Sequence, residues 1–81
     1  MTESQWTQYA EKRLIGKRIV SVFYMSEKEM EELGWSKRPL YLKLDDGSII
    51  SPQMDDEGND GGALYVAKKD KDETLPVFWG E

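Results

Sequence analysis

Five oxygen-bearing side chains crowd into six positions: Asp55, Asp56, Glu57, Asn59 and Asp60. Glycines at 58, 61 and 62 complete the run DDEGNDGG. Carboxylate and amide oxygens are hard ligands. Calcium takes roughly six to eight of them, and magnesium fewer, with water completing the shell. A divalent cation, Ca2+ or Mg2+, is therefore one ligand this set is suited to hold. The EF-hand register fails, however. With Asp56 as its first position, the third falls on Gly58, which has no side-chain oxygen. With Asp55 as its first, the sixth falls on Asp60 where glycine is required. The closing glutamate is absent in both registers, where Ala67 and Val66 stand instead.

The plainer reading is a turn. Glycines admit backbone angles that other residues resist, and Asp and Asn side chains bond the backbone two residues on. Crowded carboxylates repel one another, so a positive group is expected opposite them. Lys37, Arg38 and Lys43 are the internal candidates. A glycine-shaped loop paired with these basic groups is the expectation, and a bound cation the alternative.

Other chemistry finds less support. The chain has no cysteine and no histidine. It lacks a thiolate, the commonest zinc ligand and the commonest general base near neutral pH. The carboxylate pairs Asp45/Asp46 and Asp55/Asp56 read as turn formers, and a chain of 81 residues leaves little room for a water-excluding cleft. No catalytic residue is assigned, and an enzyme is not expected. Lys12, Arg13, Lys17, Arg18, Lys37 and Arg38, with Trp6 and Trp35, could stack on and pair with single-stranded nucleic acid. A pI of 4.7 opposes that footprint. Charge is also uneven. Residues 1–44 carry eight basic groups against six acids, and residues 45–81 three against ten. One acidic side is implied.

The elements that must position the loop follow from patterning. Thr2 and Gln5 form a capping box ahead of Trp6, Tyr9, Ala10, Arg13 and Leu14 at helical spacing. Gly16 ends that helix. KRIVSVFYM, residues 17–25, reads as a strand with two apolar faces, central in a sheet or covered by the helix. Ser26 and Glu29 suggest a second capping box on a two-turn helix that Gly34 stops. GWSKRP reads as a connector. LYLKL and SII form a hairpin about Asp46-Gly47, with Pro52 after it. GALYVA is a further strand, KKDKDET a charged hairpin tip, and LPVFW a last strand placed at a sheet edge by Pro76. The expected fold is α+β and a single domain over 1–81. It is a small bent antiparallel sheet or open barrel of four or five strands, with an N-terminal helix packed on it and a short second helix.

Several of these motifs occur together elsewhere. LGW at 33–35, RPLYLKLDDG at 38–47 and DDEGNDGGAL at 55–64 resemble a family of small uncharacterised bacterial proteins. That family shares LGW, RPLxLxLDDG and DDEGNxxGAL in the same order. The resemblance covers roughly residues 14–66. It implies that the acidic loop recurs with the hairpin before it. The family has no known function, so no residue role carries over.

The composition has no apolar run approaching the roughly 18 residues that span a bilayer. The polar start MTESQWTQYAEKR does not resemble a secretory leader. A cytoplasmic, non-enzymatic protein-interaction module is the functional expectation, with a protein as partner and neither membrane nor nucleic acid. Its expected contact residues are the loop side chains Asp55, Asp56, Glu57, Asn59 and Asp60, with Trp35, Tyr41 or Trp79 as aromatic anchors. A third possibility, an anionic mimic of nucleic acid, needs acids spaced over one face. Here they bunch in one loop and one tail.

Overall fold

A computed structural model describes residues 2–67 and 69–80. Lys68, in the charged stretch 68–74, lies outside the described residues. The order is α1 (Glu3–Leu14), β1 (Ile19–Tyr24), α2 (Glu27–Leu33), β2 (Lys37–Arg38), β3 (Leu40–Leu44), β4 (Ile49–Ile50), β5 (Leu64–Val66), β6 (Glu73–Leu75) and β7 (Phe78–Trp79). The chain is α+β, with an N-terminal helix and a short second helix. Its strands form three small antiparallel sheets, β1-β3-β4, β2-β7 and β5-β6, and no closed barrel.

Local chemistry explains most boundaries. The Thr2 hydroxyl accepts from the Gln5 amide at 3.2 Å, and Gln5 Oε1 accepts from the Thr2 amide at 2.9 Å. The capping box is complete, satisfying amides that a helix start leaves open. On α2 the box is only half made. Ser26 Oγ accepts from the Glu29 amide, but the Glu29 carboxylate accepts from the Tyr41 hydroxyl at 2.6 Å instead of turning back. Gly34 ends α2 in the left-handed region, φ 74°. The turn from β3 to β4 uses Gly47 at φ 90°. There Asp46 Oδ1 accepts from the Ser48 amide and hydroxyl, and Lys17 pairs with Asp46 at 3.3 Å.

Two expectations are corrected. First, α1 does not pack on the sheet, since no residue of it is buried. Ile15 leaves the helix in an extended conformation and Gly16 turns left-handed at φ 79°. The chain then passes directly into β1, and the apolar stripe remains in solvent. That stripe is partly satisfied within the helix. Trp6 meets Tyr9 edge-on at 5.7 Å, and the Arg13 guanidinium lies 4.4 Å over the Tyr9 ring. Second, β1 is an edge strand and neither central nor covered. It pairs only with β3, from Ile19 opposite Leu44 to Tyr24 opposite Leu40, with a bulge between Ile19 and Ser21. Residues that would flank it go elsewhere: β5 pairs with β6, and β7 with β2. The segment GWSKRP thus contains a strand that its composition does not announce. Pro76 separates β6 from β7 where one strand was expected.

The core is small. Met25, Met30 and Leu44 are its buried apolar side chains, joined by Pro39. The accessible surface is 6342 Å², against about 5,000 Å² for a compact chain of 9.4 kDa. The radius of gyration, 14.1 Å, likewise exceeds the roughly 12 Å expected for this length. Packing is tight where the Gly61 backbone meets Pro39. A Cβ at Gly61 would stand 2.7 Å from Pro39 Cδ. Gly61→Ala is therefore expected to cost about 1–3 kcal/mol through overpacking, read as a lower urea midpoint with an unchanged slope. Gly47→Ala, tested beside it, meets no such neighbour and is strained by its positive φ alone.

Candidate binding site

The acidic loop is closed at its neck by backbone pairing. The Met54 amide donates to the Asp60 carbonyl and the Gly62 amide to the Pro52 carbonyl, each at 3.0 Å. Within it, Asp55 organises the turn. Its Oδ1 accepts from the Glu57 and Asn59 amides at 3.0 and 3.2 Å, and its Oδ2 from Asn59 Nδ2 at 2.7 Å. Gly58 supplies the left-handed step at φ 71°. The Trp35 indole N–H donates to the Gly58 carbonyl at 2.8 Å and pins the tip from outside.

Asp60 points the other way, towards the strand-like connector. Its Oδ1 accepts from the Lys37 amide at 2.9 Å, the Gly61 amide at 2.8 Å and the Ser36 amide at 3.2 Å. Its Oδ2 accepts from the Ser36 hydroxyl at 2.6 Å. The donors opposite the loop are thus amide and hydroxyl groups. Lys37 and Arg38, expected to neutralise it, are engaged elsewhere. The Lys37 ammonium sits 5.0 Å over the Trp79 ring. The Arg38 guanidinium sits 5.9 Å over Phe78 and donates to the Met25 carbonyl. Lys43 is exposed. Among the described residues the salt bridges are Lys17–Asp46 and Lys71–Glu73, neither in the loop. Amides reach the inward carboxylate at hydrogen-bonding distance, while the two basic side chains lie over aromatic rings.

These contacts set the charge state. The Asn59 side chain and amide foremost hold the Asp55 carboxyl below its ordinary value, helped by Glu57 and Gly58. At Asp60, desolvation works upward, but the Ser36 hydroxyl and the Gly61, Lys37 and Ser36 amides outweigh it and leave the carboxyl lowered. Asp46 falls to about 2, chiefly through Ser48, with Lys17 contributing. Asp56 and Glu57 remain exposed, facing outward. Asp56 shares a cleft of about 600 Å³ with Trp6 of α1. Among the described residues no group of three or more acids is gathered as a metal would require.

The aromatic anchors divide. Trp35 is half-buried and committed to Gly58. Tyr41 is half-buried, edge-on to Phe23 at 5.5 Å and bonded to Glu29. Only Trp79 of the three is exposed. Sequence reasoning missed Ser36 as the loop's principal donor, since no spacing rule links it to Asp60. It also expected the helix that carries Trp6 to pack on the sheet. Trp6 is 56% exposed, and only the structure brings it beside Asp56.

No family model, curated protein or solved structure matches this chain. Among the described residues no helix is long and apolar enough to cross a membrane.

Asp60→Asn keeps one acceptor oxygen and sets an amide against donors. It is expected to cost about 1–3 kcal/mol, seen as a fall of several degrees in the thermal midpoint. Acid carries the same signature. Because the folded carboxyls of Asp55 and Asp60 titrate below 3.8, their stabilisation is full above that value and is lost as pH falls through their lowered folded values. Thermal midpoints measured from pH 7 to pH 2 should drop below about pH 4, less steeply in Asp60→Asn. At the alkaline end, desolvation first and Glu29 second push Tyr41 up to about 12. Ultraviolet titration should show Tyr41 ionising late among the four tyrosines, beside a smaller rise at Tyr65 caused by its hydrogen bond to Asp72, and stability falling as pH rises from about 10 to about 12. Tyr41→Phe should remove that late step.

Proposed function

We propose that this chain is a non-catalytic domain that binds a protein segment carrying basic and apolar side chains. One observation carries the reading: no residue of a capped twelve-residue helix with an apolar stripe is buried, and its Trp6 lines the same cleft as the outward Asp56 of the loop. A helix of this length is marginal in water by itself. Exposed aromatics on such an element favour a partner. Trp6 offers a ring face to a lysine or arginine, and Asp56 and Glu57 offer the charge that steers it. Asp55 and Asp60 are engaged in shaping the loop, so its outward acids are the ones left for contact. The compartment proposed is the cytoplasm.

The test uses two labelled peptides of equal apolar content, one rich in arginine and lysine and one rich in glutamate, titrated by fluorescence anisotropy. The basic peptide should bind. The double variant Asp56→Asn, Glu57→Gln should weaken binding about fivefold, as should Trp6→Ala, and added salt should weaken it further. Equal binding of both peptides, or none of either, overturns the reading.

A further inference from the structure

A second surface is open along β1. β1 is the longest strand and the edge of its sheet. Along it Ile19, Val20, Val22 and Phe23 are each more than 40% exposed, at 57, 55, 56 and 43%. Natural edge strands are blunted by proline, lysine, bulges or covers. Here Ser21–Tyr24 contains no proline, lysine or bulge, and the Pro76–Phe78 segment reaches it only at the Tyr24 side chain, whose hydroxyl donates to the Pro76 carbonyl and whose ring meets Phe78. The one bulge lies at the strand's start and leaves Ser21 to Tyr24 in unbroken register against β3.

The free edge has a defined parity. The Met25 amide donates to the Pro39 carbonyl on the β3 side. Alternation along an antiparallel ladder then aims Phe23 and Ser21 at β3, and Val22 and Tyr24 outward. Among the described residues no strand pairs with those outward groups.

We infer that two copies of this chain pair β1 to β1, antiparallel, about a two-fold axis at Val22, making one six-stranded sheet. Parity allows it at the centre, where Val22 faces Val22 of the second copy and outward groups meet outward groups; Val20 lies at the bulge, where the alternation is interrupted. Charge selects direction. The strand is preceded by Arg18, with Lys17 beside it paired to Asp46, and is followed by Glu27 in the acidic first turn of α2. Antiparallel pairing sets the basic start of one copy beside the acidic turn of the other, whereas parallel pairing sets basic on basic. Two-fold isologous contacts are also the commonest way a chain meets itself. This surface is separate from the Trp6–Asp56 cleft.

The experiment is sedimentation equilibrium with light scattering across concentrations of the whole chain. The expected mass is twice 9.4 kDa at high concentration. Val22→Pro removes an outward amide and no bond to β3, and proline suits an edge strand. It should raise the dissociation constant about tenfold or more, with circular dichroism unchanged. Arg18→Glu should weaken association about threefold, and Arg18→Glu with Glu27→Arg should restore it. Should Val22→Pro fail to fold, Val22→Lys and amide exchange on the wild-type chain decide. The Val22 and Tyr24 amides should be protected only at concentrations where the dimer forms. A chain that stays monomeric to about 100 µM, well above the micromolar range of weak specific pairs, overturns the pairing. So does a dimer that survives both Val22 variants. A monomer that still binds the basic peptide would leave the proposed function standing without this interface.

Discussion

The Asp60 carboxylate is the joint on which this small structure turns. It gathers the amides of Ser36, Lys37 and Gly61 and the Ser36 hydroxyl onto one side chain. By doing so it fastens the loop to the segment entering β2, and it sets Gly61 against Pro39. Trp35 adds a second tie through Gly58. A charged acceptor shared among several donors is among the stronger polar contacts available near a surface. It substitutes here for apolar burial that the chain does not have.

That substitution matters because the core is three apolar side chains and a proline. Met25 and Met30 fill it with flexible, polarisable groups that adapt to irregular space. Larger apolar residues, Trp6, Ile19, Val22, Phe78 and Trp79 among them, stand outside. Some are occupied in pairs: Phe78 meets Tyr24 at 4.6 Å, and Lys37 covers Trp79. The molecule is thus a polar frame around a slight core, with apolar surface held in reserve on α1 and β1.

What was legible in the chain was local. Both helices, their caps at Thr2 and Ser26, the stop at Gly34 and the turn at Asp46-Gly47 all follow from signals within a few residues. The glycine-shaped acidic turn was also readable, because Asx bonding reaches only two to four residues. What was not legible depends on distance. β2 and β7 are two-residue strands that exist only through each other. No periodicity can announce so short a run. The partner of the loop's acids was expected to be a basic side chain, since charge is visible in a sequence. Backbone amides, which every residue carries, are not. The apolar alternation of β1 predicted burial, yet patterning says only that a surface prefers cover, not that the same chain supplies it.

Gly80 lies against the side chain of Met30 and donates its amide to the Ser36 carbonyl. The core is therefore roofed by residues about fifty positions downstream of the methionine they cover. β1, α2 and β3 all precede, in chain order, the residue that closes over Met30. Over that interval the exposed β1 edge and the open face of Met30 would rest mainly on the β1–β3 ladder, whose strands are separated by α2 and β2. Folding of this chain is a late event with an early scaffold, and its exposure to wrong pairing is greatest while synthesis is still under way.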